Sequence, residues 1–343
     1  MKKLWIVLLI CVLAISFTWA GGKSQASSGS GNAAATRKIA FCFQDLETEF
    51  WVAGHKAITE TLSKQGIQVI EYNGNQDANK QLEQVNDAIA QKVDGIILIP
   101  QDGESAVTIV KTANRAGVPI AVFNRPPSNK DGKAIVVVAD NESIAYQAAK
   151  HMIGEARKRF DSAGVKTVVG HMIGDLVDPN AVYRKQGFEK AAAEDKAVID
   201  RIVEIPTQWD ANVGLANLRS AMQANPDINM IFAGSDFLYP QIQSVLEPLG
   251  KWKKIGDPNH VIMGACDGDS HAGDLMDQGY VDATAVQDLY FEAEACMREL
   301  LAAIDAGIKT PDKWINDPGF ALTQANMAQR HDDMWGNKLR ASK

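Results

Sequence analysis

Several short apolar runs in this sequence each hand over, within a few residues, to side chains able to bind a small polar molecule. Ile39–Phe43 leads into Gln44, Asp45, Phe50 and Trp51. Ile120–Phe123 leads into Asn124 and Arg125. A run ending near His171 is followed by Asp178, Asn180 and Arg184, and later runs by Trp209, Ser235, Asp267 and Gln287. The set mixes aromatic rings with planar amide, guanidinium and carboxylate groups. It holds no cysteine and no nucleophile paired with a base. Aromatic faces suit the C–H surface of a sugar ring. Planar polar groups pair with hydroxyls that both donate and accept, and charged partners strengthen those bonds. The expected chemistry is recognition of a neutral polyhydroxylated ligand, without catalysis, cofactor or metal.

Each of these residues has a plainer reading. Phe50 and Trp51 open a helix, and either could fill the core. Arg184 lies one turn inside a helix, where a surface ion pair is the ordinary fate. Asp210 and Asp236 read as helix caps, and Asp288 as structural. Trp209 favours a ligand role, because a large ring just past a strand end has little to pack against. His331, Asp332 and Asp333 read as a solvated face.

The elements that position these residues alternate. Strands at Lys38–Phe43, Ile67–Tyr72, Gly95–Ile99, Val118–Phe123 and Ile135–Ala139 are separated by helices at Phe50–Lys64, Asn79–Lys92 and Ser105–Arg115. The pattern resumes with a helix at Ile144–Ala156 and continues to a last expected helix at Phe291–Ala306. Short apolar runs and 3.6-residue periodicity separate the two element types, and Gly and Pro mark the joins. Such alternation builds parallel sheets with helices on both faces. About ten strands in one sheet would be unusual, so two doubly wound α/β lobes are expected. In open parallel sheets ligands bind beyond the carboxyl ends of the strands, which is where the polar and aromatic residues fall.

The start of the chain reads as an export signal. Lys2 and Lys3 precede an apolar run from Leu4 to Ile15, and Ala20 closes a small-residue cleavage site. Residues 21–36 are rich in Gly, Ser and Ala and read as a flexible linker. Cys11 lies inside the apolar run, a poor place for a lipid anchor. Of the four cysteines, Cys42, Cys266 and Cys296 remain after cleavage. Their spacing suggests buried hydrophobes rather than zinc ligands. The formal net charge of -7 does not suit nucleic acid, which calls for a basic footprint.

The segments DLETEFW, VPIAVFNRPP, DPNAVYRKQGF, TQWDAN, FAGSD, ACDGD and AVQD, in that order, resemble the periplasmic sugar-binding proteins of ABC transporters, of the ribose/galactose-binding type. The resemblance runs from about Lys38 to Phe320. It implies the type I periplasmic-binding-protein fold, with two lobes joined by a three-strand hinge. The N-terminal lobe would take 37–139 and 289–318, and the C-terminal lobe 140–288 and 319–343. It implies that Phe50 or Trp51 walls the site from one lobe and Trp209 from the other. Asn124 and Arg125 would bond hydroxyls from the first lobe; Asn180, Arg184, Ser235 and Asp267 from the second; Gln287 would lie at the hinge. The implied partners are a monosaccharide and a membrane permease, and some members also report to a chemoreceptor. A periplasmic monomer is expected.

The pattern departs from the family in places. Asn124-Arg125 mixes the galactose-type Asn-Lys with the ribose-type Asp-Arg. Asp178 and Asn180 stand where His and Asp are usual, and Ser235 replaces an Asn. No calcium loop is visible around Asp267, Asp269 and Asp274. The context leans toward glucose or galactose, with a pentose as a further expectation. The runner-up is a polyol or furanose signalling ligand, then a sugar-acting enzyme. A repressor ligand domain lacks its helix-turn-helix. No G-x-G-x-x-G or P-loop motif supports nucleotide chemistry.

Overall fold

The computed structural model describes residues 36–160 and 163–342. The expected signal peptide and nearly all of the expected linker lie outside the described residues. The chain runs β1 (Lys38–Phe43), α1 (Glu49–Lys64), β2 (Gln68–Asn73), α2 (Ala78–Ala90), β3 (Gly95–Leu98), α3 (Gly103–Ala116), β4 (Ile120–Phe123) and β5 (Ile135–Ala139). It continues with α4 (Asn141–Phe160), β6 (Thr167–Ile173), α5 (Pro179–Glu194), β7 (Ile199–Pro206), α6 (Ala211–Ala224) and β8 (Met230–Ala233). Then come α7 (Tyr239–Leu246), β9 (Ile262–Asp267), α8 (Ser270–Asp277), β10 (Ala283–Val286) and α9 (Leu289–Asp305). The last elements are β11 (Lys313–Asp317), β12 (Phe320–Thr323), α10 (Met327–Arg330) and α11 (Trp335–Ala341).

These strands form two sheets of the same design. One has the order β11-β5-β4-β3-β1-β2, the other β12-β10-β9-β8-β6-β7. Every pairing is parallel except β10 with β12. Along β1, Ile39, Phe41 and Phe43 face one apolar cluster while Ala40 and Cys42 face another. A strand buried on both faces must be apolar throughout, which is why these runs stood out in the sequence. In each sheet the order reverses beside the first strand, the switch point beyond which ligands bind.

The chain passes between the sheets three times, around residues 139–141, 286–289 and 317–320. Asp317 ties the three passages together. Its carbonyl accepts from the Asp140 N–H at 2.8 Å, and its carboxylate accepts from the Asp288 N–H at 2.5 Å and the Gly319 N–H at 2.9 Å.

His331, Asp332 and Asp333 lie at the surface as expected. Two features depart from the sequence reading. The chain beyond Ala306, in which no element was expected, supplies a strand to each sheet and then Trp335, which is fully buried. These strands are short and lie apart from the alternating pattern, so periodicity does not register them. The other is Asp236, which caps no helix. Its buried carboxylate accepts from the backbone of Gly268 and Asp269 at 2.5 and 3.1 Å and from Thr284 Oγ1. It braces the turn after β9. Asp210 does cap α6, and Asp288 caps α9. The cysteines Cys42, Cys266 and Cys296 are free and buried, and burial pushes the Cys42 thiol up to about 12.

His171 on β6 is buried against Phe188 and Phe232, with ring centroids 4.3 and 5.7 Å away. Its Nδ1 has no hydrogen-bond partner. Burial, helped by the Lys185 charge, drives its pKa down to about 3. Unfolded, it would titrate near ~6.5, so on acidification the unfolded chain takes up the proton first. This group therefore costs stability as pH falls from about 6.5 toward 3, at ~1.4 kcal/mol per pH unit. Urea unfolding of wild type and His171→Gln between pH 7 and 4.5 should show a shallower decline in the variant. Parallel curves would mean that His171 is not held neutral.

Candidate functional site

Residues just beyond the strand ends of both sheets line one cavity between the lobes. All ten residues singled out from the sequence border it: Phe50, Trp51, Asn124, Arg125, Asn180, Arg184, Trp209, Ser235, Asp267 and Gln287. The backbone is bent to present several of them. Asn124, Gln208, Trp209 and Asp267 have positive φ, of 65, 54, 57 and 112°. Non-glycine residues held this way cost on the order of 1–3 kcal/mol each and cluster at functional sites.

At the base of the cavity the polar side chains close a ring of hydrogen bonds. Asn124 Nδ2 donates to Gln287 Oε1 at 2.9 Å, and Gln287 Nε2 to Asp267 Oδ1 at 2.7 Å. Arg184 Nη2 pairs with that same oxygen at 2.8 Å, and its Nε donates to Asn141 Oδ1 at 2.7 Å. Asn141 Nδ2 donates to Asn180 Oδ1 at 3.1 Å, and Asn180 Nδ2 returns to Asn124 Oδ1 at 3.2 Å. Ser235 Oγ donates to the other Asp267 oxygen. Asn124 comes from the first sheet; its partners in the ring belong to the second lobe and the crossings.

Arg184 is therefore no surface residue. Burial opposes its positive charge most strongly of any one influence, but Asp267 together with Cys266 and Asp178 outweighs that and leaves its pKa above the usual guanidinium value. Burial lifts the Asp267 carboxyl, while Arg184, Ser235 and Gln287 pull it back. The two shifts oppose each other. We take the pair as ionised, because three donors converge on one carboxylate. Behind the ring, Glu292 on α9 accepts from Asn124 Nδ2 at 2.9 Å. Burial, then the Asp317 charge, raises its carboxyl well above the ordinary range.

The second arginine closes the upper part of the cavity. Arg125 Nη1 donates to Gln44 Oε1 and to the carbonyls of Pro100 and Gln101, at 3.1 and 2.6 Å for the latter two. Its Nε forms an ion pair across the lobes with Asp178 at 2.9 Å. The same Asp178 oxygen accepts from Trp209 Nε1 at 3.1 Å. One carboxylate thus fixes both a cation and a ring.

The two tryptophans are half-buried and come from opposite lobes. The Arg125 guanidinium lies 5.7 Å from the Trp51 ring, and that of Arg184 5.9 Å from Trp209. Trp209 is seated on bare backbone. A Cβ on Gly174 would come within 2.2 Å of the indole, and one on Gly234 within 3.3 Å. Phe50 is mostly core: it is 6% exposed and packs edge-on against Trp335 and Trp51.

The selection from sequence left out Gln101, Gln208 and Phe237, which also line the cavity. Gln101 follows Pro100 at the end of β3, so the strand-end rule could have found it. Gln44, Asp45 and Asp178, which the strand-end rule also reaches, line the cavity beside the ten. Trp335 was missed altogether; its Nε1 donates to the Asp267 carbonyl at 2.8 Å. No group of three or more His, Cys, Asp or Glu side chains able to hold a metal occurs among the described residues, and no described helix is long and apolar enough to cross a membrane.

A family model described as a periplasmic binding protein domain matches residues 39–309. The chain belongs to this family. The D-apiose import binding protein of Actinobacillus succinogenes is 25% identical over 273 residues, covering 79% of this chain and 82% of the relative. The ribose import binding protein of Escherichia coli is 23% identical over 258 residues, covering 75% and 81%. A solved galactofuranose binding protein superposes with a TM-score of 0.75 at 20% identity, covering 87% of this chain and 98% of the other. A carbohydrate transporter solute binding protein from Agrobacterium radiobacter, in complex with D-arabinose, gives 0.76 at 18% identity, covering 88% and 99%. These structural likenesses match the two-lobed α/β architecture.

Removing one partner of the buried pair should be severe. Arg184→Met leaves Asp267 buried without its cation, at a cost of about 3–5 kcal/mol. Arg184→Met with Asp267→Leu should recover much of that loss. Urea denaturation of the single and double variants measures both. Equal stability of wild type and Arg184→Met would mean that the pair does not hold the site.

Proposed function

We propose that this chain is an exported solute-binding protein that captures a monosaccharide between its lobes and delivers it to an ABC permease. The observation that carries the reading is the pair of half-exposed tryptophans, Trp51 and Trp209, facing one cavity from opposite lobes among planar polar groups. An aromatic wall on each side suits the two faces of a sugar ring. Both arginines are matched by carboxylates, which favours a neutral ligand over a sugar acid or phosphate. Family membership and the names of the relatives support import of a sugar. Binding without turnover is part of the proposal.

Glucose or galactose is the expectation from Asn124, Arg125 and their context. The relatives named for D-apiose, ribose and xylose give weight to a pentose. The solved galactofuranose binding protein and neighbours solved with β-D-fucofuranose and myo-inositol give weight to a furanose or a polyol. We favour a pentose or furanose as ligand. The moving bodies would be residues 37–139 with 289–318 and residues 140–288 with 319–343. Delivery of the chain to the periplasm rests on residues 1–20 as a signal peptide, with 21–36 as the linker. Closure would follow from tighter binding of the sugar to the closed state than to the open one.

A thermal-shift panel of pentoses, hexoses and polyols tests this on protein unfolded and refolded beforehand to strip carried-over ligand. At 100 times Kd a ligand adds about 2.7 kcal/mol, a shift of roughly several degrees for a chain of this size. One or two monosaccharides should give it. Trp209→Ala should abolish the response with little change in sugar-free Tm. Gly174→Ala should do nearly the same by displacing the indole. A flat panel, or a full response in Trp209→Ala, would overturn the reading.

A further inference from the structure

In the first turn of α1, Glu49 reaches across the cleft without bordering the ligand cavity, which its neighbours Phe50 and Trp51 do border. Glu49 is the first residue of α1, in the first lobe. Its Oε2 accepts from the Ser270 N–H at 2.8 Å, and its Oε1 accepts from Ser270 Oγ at 2.7 Å. Ser270 opens α8, in the second lobe. A helix leaves its first N–H groups without partners inside the helix. In α8, Asp269 serves the Ala272 N–H at 2.6 Å, while Ser270 is served from the opposite lobe. The Glu49 carboxylate thus sits at the positive ends of two helices at once.

A second contact lies directly beside it. Phe50, next in sequence, packs edge-on against Trp335 with centroids 5.7 Å apart. Trp335 belongs to α11, which packs on α8. Opening the lobes must separate Glu49 from Ser270 and strip Phe50 from Trp335.

We propose that Glu49 and Ser270 are positioning residues that set ligand affinity by holding the lobes together, without touching the ligand. This rests on the reading that the lobes open and close around a solute. Residues in the cavity determine which sugar is preferred. The Glu49–Ser270 contact stabilises the closed state by the same amount whatever the sugar. Changing it should therefore scale all affinities together and leave their rank order intact, and should also move the closed population when no sugar is present.

The test uses the full mature chain carrying Glu83→Cys and Arg219→Cys, exposed positions in the first and second lobes. The native cysteines are buried, so spin labels report the lobe–lobe distance. In sugar-free protein, E49Q with S270A should lower the population of short distances on the order of tenfold, as loss of charge-assisted bonds implies. S270A alone should give an intermediate shift, which keeps the test available should the double variant fold poorly. D-ribose and D-allose affinities, measured by calorimetry, should fall by a common factor. An unchanged distance distribution would overturn the proposal, as would unequal losses for the two sugars. If neither sugar binds, the distance measurement still decides this proposal, and only the choice of ligand is at fault.

Discussion

The architecture around the cavity depends on one buried ion pair, Arg184 with Asp267. Isolated, either charge would be intolerable at this depth. Together they still need their remaining donors and acceptors matched, and the structure supplies those from every neighbouring element. Asn141 at the first crossing, Gln287 near the second, the Gly234 carbonyl after β8 and Ser235 all converge on the pair. The unusual backbone at Asp267 follows from this demand. Its carboxylate must face Arg184 while its carbonyl accepts from Trp335.

Asn124 extends the same constraint into the other lobe. It follows β4 of the first sheet, yet it bonds Gln287 and Asn180, and also Glu292 in the first turn of α9. The closed ring of side chains, each bonded to the next, holds the base of the cavity in one arrangement, while further contacts between the lobes lie at the rim, where Arg125 meets Asp178 and Glu49 meets Ser270.

Most of this framework was legible in the sequence because buried parallel strands must be apolar along their whole length. Ile39–Phe43 and Ile120–Phe123 could be read directly, and the residues after them followed from the strand-end rule. The arginines were legible as types but not as environments. Nothing at Arg184 announces that its partner lies at Asp267, far along the chain. Asp236 resembled a cap because it opens a helical turn, but its carboxylate turns back toward Gly268. The short strands at Lys313–Asp317 and Phe320–Thr323 carry too little pattern to read, and Trp335 stands in a polar tail. Gly174 and Gly234 are ordinary at strand ends, and only the seated indole of Trp209 explains them.

The late position of the missing strands bears on how the protein is made. Each sheet takes one of its two outer strands from the last part of the chain, β11 for one and β12 for the other. Trp335, which fills the space behind Asp267, comes later still. Domains generally begin to fold from the N-terminal end during synthesis, but here neither lobe can complete its sheet until nearly every residue has been joined. The emerging polypeptide therefore stays unfinished for almost the whole of its synthesis. The topology itself thus builds a delay into the folding of both lobes.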